Sequence, residues 1–517
     1  MRRFFVMTMT GLCACLAIPA ISQTAETLEI ITTNQPMPAR SLAGAVESPK
    51  SVIVKPSTQN LGEERAETGA LLPDQILSSS AARFPKILEA LAMERASRGD
   101  IQAAEGSFDL VFNAEGYDRL SGFWTGSVVK TEARQNLRKY GAQVYGGYRL
   151  SDGTFPIYED INFTNTLGEF KVGALFSLLR DRDIDPRRFR VADTQLAARQ
   201  ARLDVLLTQV GVQQKALNSY WRWVAAGREL QVYRELLKIA EDREEGLEKQ
   251  VAQGAKPEIA VTENMQNIIR RKVFVTQAER NFTVASNALS FYFRDAADRL
   301  IAPSLSQLPD ETILPALRDT VAYDAARISG ALENRPELRS LKVAIDRAEN
   351  KIAISENNLK PKLDLTAEIS RDFGNIAEGG SSRDSTDTVI GFKFSVPLQR
   401  REAKGRLSRA NAELRAARLR AQRVQDQIEV ELSNILVDLT TMLELSTLAK
   451  DEVVQSNVMV EAERNKFRLG ASDFFLVNLR EERAADAEIR AIRAKLNGRV
   501  ARTSYDAATI SLDTLGL

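Results

Sequence analysis

The chain has 517 residues, with 70 Lys+Arg against 69 Asp+Glu, a net charge of +1 and no histidine. Its 44% hydrophobic and 27% charged content is that of a folded protein, and the balanced charge argues against nucleic-acid binding. With no histidine and only Cys13 and Cys15 for thiols, the composition excludes Ser-His-Asp and Cys-His catalysis, His-ligated zinc or haem, and thiolate metal clusters.

An enzyme would have to work with carboxylates, Lys, Tyr or Ser, so a structural or transport role without a cofactor is favoured. Met1-Arg2-Arg3, an apolar run from Phe4 to Ala20 and the small residues of Ala20-Ile21-Ser22 form the pattern of a removable export signal over 1–22. Leu12-Cys13-Ala14-Cys15 loosely resembles a lipidation box, but the apolar run before Cys15 is very short. Residues 23–80, with Pro36, Pro38 and Pro56 and little periodicity, read as a flexible leader. No later stretch is apolar for long enough to make a membrane helix, which leaves a β-barrel open.

Pro85-Lys86-Ile87-Leu88 opens a short helix. Phe108, Leu110, Phe112 and Ala114 then alternate with Asp109, Val111, Asn113 and Glu115, and Phe170, Val172, Ala174 and Phe176 with Lys171, Gly173, Leu175 and Ser177. Each pattern predicts a strand with one oily and one wet face. The connection 116–169 lies between them, and Gly141 to Tyr148 with Ser151-Asp152-Gly153-Thr154 could add a hairpin there. From 187 to 253, Leu196, Leu203, Val210, Leu217 and Val224 recur every seven residues, the mark of a coiled-coil seam. A helix of about 65 residues is roughly 100 Å long, too long for a compact domain. Gly254 ends it, and a second helix carries Val261, Ile268, Val275, Phe282 and Leu289.

The second half repeats this order. Asn334-Arg335-Pro336-Glu337-Leu338 opens a short helix. Leu363 to Ser370 and Ile390 to Leu398 alternate as strands, joined by the Gly/Ser-rich stretch Gly374 to Asp384. Leu407, Leu414, Ala421, Ile428 and Ile435 carry a seam, with Leu439, Val453, Val460 and Phe467 in a second phase. Arg468-Leu469-Gly470-Ala471-Ser472-Asp473 turns into the last helix. Val172-Gly173 matches Ile390-Gly391, and Phe176-Ser177-Leu178 matches Phe394-Ser395-Val396 at the same offset. The expected organisation is a first repeat over 81–300, a linker over 301–330, a second repeat over 331–512 and a tail over 513–517, each repeat holding a short helix, two strands and a long helical hairpin.

Together with Leu359-Lys360-Pro361, Ser395-Val396-Pro397-Leu398 and Phe467-Arg468-Leu469-Gly470-Ala471-Ser472, this order over residues 80–512 resembles the TolC-like outer-membrane efflux proteins. The resemblance implies an α+β membrane protein. It would be a homotrimer, with a twelve-stranded β-barrel in the outer membrane of a Gram-negative cell and an α-helical tunnel across the periplasm. It also implies docking on a periplasmic adaptor (membrane fusion) protein and an inner-membrane pump of RND or ABC type. Strand physics agrees: four strands per chain cannot close a barrel in lipid, whereas three copies pooling four give twelve.

The function expected is a passive exit duct for efflux or type I secretion. By resemblance, the hairpin tips with Gly254, Lys256, Gly470, Ser472 and Asp473 form the closable periplasmic entrance and the adaptor contact. Some family members carry inward aspartates just after the second turn. This chain has Leu476 and Leu479 at those positions, so an apolar constriction from Phe474, Phe475 or Leu476 is the candidate, with core packing expected for two of those three. Asp473 reads as a first-turn Asp, and Glu481 and Glu482 as solvated. Asp364, Thr366, Glu368 and Lys393 would face the barrel lumen. The basic run from Arg400 to Arg423 reads as a solvated face paired with residues such as Glu413, not a nucleic-acid site. Trp124, Trp221 and Trp223 are candidate interface anchors. Two competing functions remain. A periplasmic coiled-coil adaptor explains the heptads but not the alternating strands. A two-carboxylate hydrolase needs a pocket that rods and strands do not offer.

Overall fold

The computed structural model describes residues 69–314, 330, 335–377 and 383–517. The export signal, Cys13, Cys15, most of the leader, the middle of the linker and Asn334 lie outside these.

Seven helices are described: α1 (Pro73–Arg83), α2 (Pro85–Glu105), α3 (Pro186–Ala252), α4 (Ile259–Ser290), α5 (Pro336–Asn357), α6 (Arg401–Arg468) and α7 (Phe474–Ala508). At 67 and 68 residues, α3 and α6 are each about 100 Å long. The seam positions Leu203, Val210, Leu217 and Val224 are buried, as are Ile268, Leu289, Ile428, Leu439 and Val460. The long helices lie side by side in the order α4, α3, α7, α6. Among the described residues no helix is long and apolar enough to cross a membrane.

The sheet has six strands where the sequence pattern predicted four. They are β1 (Val111–Asp118), β2 (Ser127–Asn136), β3 (Gln143–Asp152), β4 (Glu169–Ser177), β5 (Lys362–Asp372) and β6 (Thr386–Ser395). Each pairs antiparallel with the next in sequence, so β1 and β6 form the two edges. The additional strands β2 and β3 fall in the connection 116–169. A hairpin does lie there, but its turn is at 137–142, where Leu137 N–H bonds the Ala142 carbonyl at 2.8 Å. On β2 the alternation is carried by Val129, Thr131 and Ala133 against Lys130, Glu132 and Arg134. Its oily face is built from small side chains, so the period-2 signal is faint. The second half keeps the expected order of helix, two strands and helix. The first half has four strands between α2 and α3, so β1 and β2 have no counterpart between α5 and β5.

The expected segment ends also shift. Residues 73–83, most of them assigned to the leader, form α1, with Ile76 and Leu77 buried against Val210, Leu217 and Tyr220 of α3. The tail is packed, with Leu515 fully buried in the same cluster. Leu308 and Leu314, placed in the linker, also join that core. Tyr220 Oη donates to the Leu71 carbonyl at 2.9 Å, and Gln213 Nε2 donates to the Leu77 carbonyl at 2.9 Å. Trp221 and Trp223 are core residues here rather than interface anchors.

A polar knot roots the sheet in the helices. Asp185 caps α3, accepting from Arg187 and Arg188 N–H at 2.8 and 2.9 Å. The Arg188 guanidinium reaches the carbonyls of Arg182, Asp183 and Asp181 at 2.9, 3.0 and 2.6 Å. Asn357, at the end of α5, exchanges two hydrogen bonds with Asp181 at 2.9 and 3.0 Å. Arg335 is buried at the head of α5. It donates to the Ala508 carbonyl at 3.2 Å and pairs with Glu431 of α6 at 3.2 Å. The turn at 137–142 rests on this knot, and a Cβ on Gly141 (φ +54°) would run into the Asp181 carbonyl. Gly141→Val is expected to lift the turn off and weaken the β2–β3 pairing while leaving α3 to α7 intact. Hydrogen exchange would show faster exchange at Arg134 to Val144 with unchanged protection in the helices.

Candidate functional site

Three features of the chain bear on function: the two faces of the sheet, its helix-distal end and the tips of the helical hairpins. The register places Phe112 and Ala114, Val129, Tyr148 and Leu150, Phe170 and Val172, Leu365 and Ile369, and Ile390, Phe392 and Phe394 on one face. This face is apolar across all six strands and uncovered: Phe392 is 78% exposed, Ile390 74% and Phe112 67%. Isolated exposed apolar residues are ordinary, but a continuous face of this size is an interaction surface.

The opposite face is laced with charge. Arg149 pairs with Glu169 at 2.6 Å, Lys171 with Glu368 at 2.9 Å, Arg134 with Glu132 at 2.6 Å and Lys130 with Glu115 at 3.8 Å. Tyr145 Oη donates to Glu368 at 2.9 Å. Asp364, Thr366, Glu368 and Lys393 all lie on this face. Asp364 is buried, taking a hydrogen bond from Ser177 at 3.0 Å and pairing with Lys362 at 3.3 Å.

At the helix-distal end the β3–β4 connection folds back over the charged face. Val128, which shares that face, is buried against Phe155 and Phe163, which meet edge to face at 5.5 Å. Thr164 Oγ1 accepts from Ser151 N–H at 3.0 Å and fixes the fold-back. Ile157, Tyr158 and Ile161 on this connection are exposed. Trp124 sits in the neighbouring β1–β2 connection, edge on to Phe123.

The other end holds two twin turns. At the first, Ala255 N–H bonds the Gln250 carbonyl and Gly254 N–H the Val251 carbonyl, both at 2.9 Å. At the second, Ala471 N–H bonds the Lys466 carbonyl at 2.9 Å and Gly470 N–H the Phe467 carbonyl at 3.1 Å. Both are Schellman closures, with Gly254 at φ +70° and Gly470 at φ +76°. Lys256 sits 4.8 Å over the Phe467 ring and so ties one tip to the other. Ser472 donates to Glu463. Asp473 is the N-cap of α7, accepting from Leu476 N–H at 2.8 Å.

About 12 Å up α7 from its cap lies a buried ionic hub. Glu481, 1% exposed, meets Arg243 of α3 at 2.5 Å, Arg271 of α4 at 3.2 Å and Arg464 of α6 at 3.1 Å. Asn478 Oδ1 accepts from Arg243 at 2.7 Å. Arg271, fully buried, also donates to the Leu236 carbonyl at 2.7 Å. Burial alone would push the Glu481 carboxyl up, but the charge and hydrogen bond of Arg243, then those of Arg271, hold it below the ordinary carboxylate range. Burial lowers the Arg271 guanidinium, and Glu481 offsets part of that. One carboxylate thus joins all four long helices near their tips.

Residues 327–515 match the family described as outer membrane efflux protein. That stretch, from the linker to the tail, is similar to outer membrane efflux proteins. Solved structures extend the likeness to the first half. The outer-membrane channel OprN has a TM-score of 0.61 at 15% identity, over 84% of this chain and 89% of its own. The CmeC outer membrane channel of Campylobacter jejuni has 0.60 at 13%, over 91% and 94%. The MtrE outer membrane channel of Neisseria gonorrhoeae, in its open state, has 0.59 at 14%, over 84% and 88%. No curated protein sequence matches the chain. The fold is TolC-like.

Within this TolC-like frame the expected entrance residues Gly254, Lys256, Gly470, Ser472 and Asp473 come together at the hairpin tips. Phe474 is buried with Leu247, Ala260 and Phe467, so it is a packing residue. Phe475, 68% exposed, and Leu476 are exposed in the single chain. Glu481 and Glu482 are not solvated: Glu481 is the hub, and Glu482 pairs with Arg270. Heptad reading assigns α7 a stripe of apolar seam positions and cannot see a carboxylate that three arginines from other helices converge on. The basic start of α6 is a paired surface as expected, with Arg406–Glu402 at 2.5 Å, Arg409–Glu413 at 2.8 Å and Arg418–Glu349 at 2.9 Å.

The hub carries a pH prediction. A carboxylate lowered on folding contributes stability above its unfolded value of about 4.3, and that stability is lost as pH falls through the lower folded value. The tips are therefore expected to hold together at neutral pH and to loosen only below about pH 4. Glu481→Gln strands three guanidiniums and is expected to cost about 3–5 kcal/mol. Denaturation followed by helical circular dichroism, with proteolysis at the tips as a local readout, measures both effects.

Proposed function

We propose that this chain is the outer-membrane exit duct of a tripartite efflux or type I secretion system, working as a homotrimer. The observation that carries the reading is the sheet. One face is apolar and uncovered across six strands, the other is ion-paired, and the whole stands at the end of helices about 100 Å long. In a membrane barrel such an apolar face meets lipid and the charged face lines water. The outer membrane of a Gram-negative cell is the setting this calls for, with the helices reaching into the periplasm.

Both layers support a ring. The sheet ends in two unpaired edges, β1 and β6. The helical layer ends in α4 and α6, and each shows a further exposed apolar stripe: Met265, Ile269 and Val273 on α4, and Val430, Val437 and Leu448 on α6. Different edges meeting head to tail form a closed ring when the rotation allows it. The near-repetition of strands, long helix, glycine turn and long helix supports a tandem duplication of one unit. Asp364, Thr366, Glu368 and Lys393 then line the lumen. The helix-distal connections form the outer mouth. The tips with Gly254, Lys256, Gly470, Ser472 and Asp473 form the entrance that meets a periplasmic adaptor, and Phe475 with Leu476 supplies the constriction. An inner-membrane pump of RND or ABC type supplies the energy. An adaptor-only reading leaves the apolar face of the sheet without lipid to meet.

Conductance in a planar lipid bilayer tests the duct. The purified protein is expected to conduct as a trimer; a stable, water-soluble monomer that does not conduct would sink the reading. Asp473→Ala removes a cap worth about 1 kcal/mol and is expected to leave ion selectivity unchanged. Phe475→Ala, by widening the constriction, is expected to raise conductance.

A further inference from the structure

Resting on the exit-duct reading above, we infer that the barrel closes with eighteen strands, six from each of three copies, through pairing of β6 with β1 of the next copy so that Lys393 faces Glu115. Among the described residues the sheet offers no other free edges. Closing at twelve would need β3 as an edge, but β3 is paired with β2 along Gln143–Asp152 in unbroken register. In lipid, an unpaired edge leaves backbone N–H and C=O groups unsatisfied, so both edges must be covered.

The two edges fit one another. All five pairings are antiparallel, so β1 and β6 run in opposite directions, and setting β6 beside another β1 keeps the barrel antiparallel throughout. Keeping the apolar face continuous requires Phe112 and Ala114 to share a side with Ile390, Phe392 and Phe394, which allows every second register only. The stagger decides among these. A line running straight across the hydrogen bonds passes from Asn136 through Gln143, Leu175 and Thr366 to Gly391, and its extension onto the β1 side is Asp109. With Lys393 opposite Glu115, Asp109 of the next copy meets Gln399, a stagger of about eight residues per copy. For eighteen strands at about 3.3 Å rise and 4.8 Å spacing, this tilts the strands by about 43°, within the usual 35–45°. The next allowed register, with Asn113 opposite Lys393, gives about 35°, at the edge of that range. Stagger in the other direction leaves β1 and β6 with no overlap.

Charge selects the same register. Glu115 is exposed on the β1 edge and reaches Lys130 only at 3.8 Å. Lys393 is exposed on the β6 edge and makes no ion pair among the described residues. Eighteen strands make a ring about half again as wide as twelve, the size class that leaves a water-filled channel. The fold-back of Phe155 and Phe163 over Val128 then narrows the outer mouth of a wide lumen.

The test is a pair of cysteines in the full-length protein. Glu115→Cys with Lys393→Cys is expected to give disulfide-linked dimers and trimers on oxidation, and each single variant none. Glu115→Lys is expected to weaken the trimer, and adding Lys393→Glu to restore it. Electron cryomicroscopy of the unmodified trimer is expected to resolve eighteen strands in section. A conducting trimer with twelve strands, or one in which the Glu115→Cys and Lys393→Cys pair does not link, overturns the closure and leaves the exit duct standing. A non-conducting monomer overturns both.

Discussion

A sheet that is oily on one side, charged on the other and unpaired at two edges is unstable as a single copy in either solvent. In water the apolar face costs about 25 cal/mol for each Å² left exposed. In lipid the edges cost several kcal/mol for each unsatisfied backbone group. Lipid removes the first penalty and closure with further copies the second, since β2 to β5 are already paired on both sides and only β1 and β6 remain to be covered. The long helices follow the same logic. Each of α4 and α6 buries one stripe inside the copy and leaves another exposed, so the helical layer is also half of an interface.

The helix tips resolve a different conflict. On the exit-duct reading proposed above, the tips form an entrance that has to hold shut and still be able to move. Apolar seams alone would let α7 slide against α3 with little penalty, since coiled-coil packing tolerates register shifts. The Glu481 hub does not, because its carboxylate satisfies arginines from α3, α4 and α6 at once. Withdrawing α7 would leave Arg271, fully buried, without its counter-charge. Such an ion cluster adds little to net stability but defines one arrangement sharply. A docking partner that supplied alternative acceptors to these arginines would lower the cost of separation, and the exposed turns at Gly254 and Gly470 lie about two to three helical turns from Arg243 and Glu481.

The long helices, their glycine turns and the outer strands of each half were legible because periods of seven and two persisted over many residues. The strands missed, β2 and β3, have the same physics with smaller side chains. The apolar face carries Ala133, Gly146 and Thr131 as well as Phe, so alternation in size fades while alternation in polarity remains. The hub was illegible for another reason. Glu481, Arg243, Arg271 and Arg464 are distant in sequence and each fits a solvated helix face when read alone; only the packing of four helices shows that they converge. Asp473 and Gly470 were readable because capping is local. Phe475 and Phe474 differ in burial though adjacent, since successive residues on a helix point about 100° apart.

Four connections root the sheet in the helices: α2 to β1, β4 to α3, α5 to β5 and β6 to α6. The β2–β3 turn has no chain connection to the helices and rests on them through Gly141 against Asp181 and Arg138 against Glu105 at the end of α2. Adding or removing this strand pair therefore changes the width of the sheet without changing the number of helices that carry it. On the closure inferred above, the cross-section of the barrel and that of the tunnel beneath it would be set by separate parts of the sequence. A wide mouth above a tunnel of unchanged helix number needs something to fill or guard it, and the β3–β4 connection, pinned by Thr164 and packed through Phe155 and Phe163 onto Val128, is placed to do so.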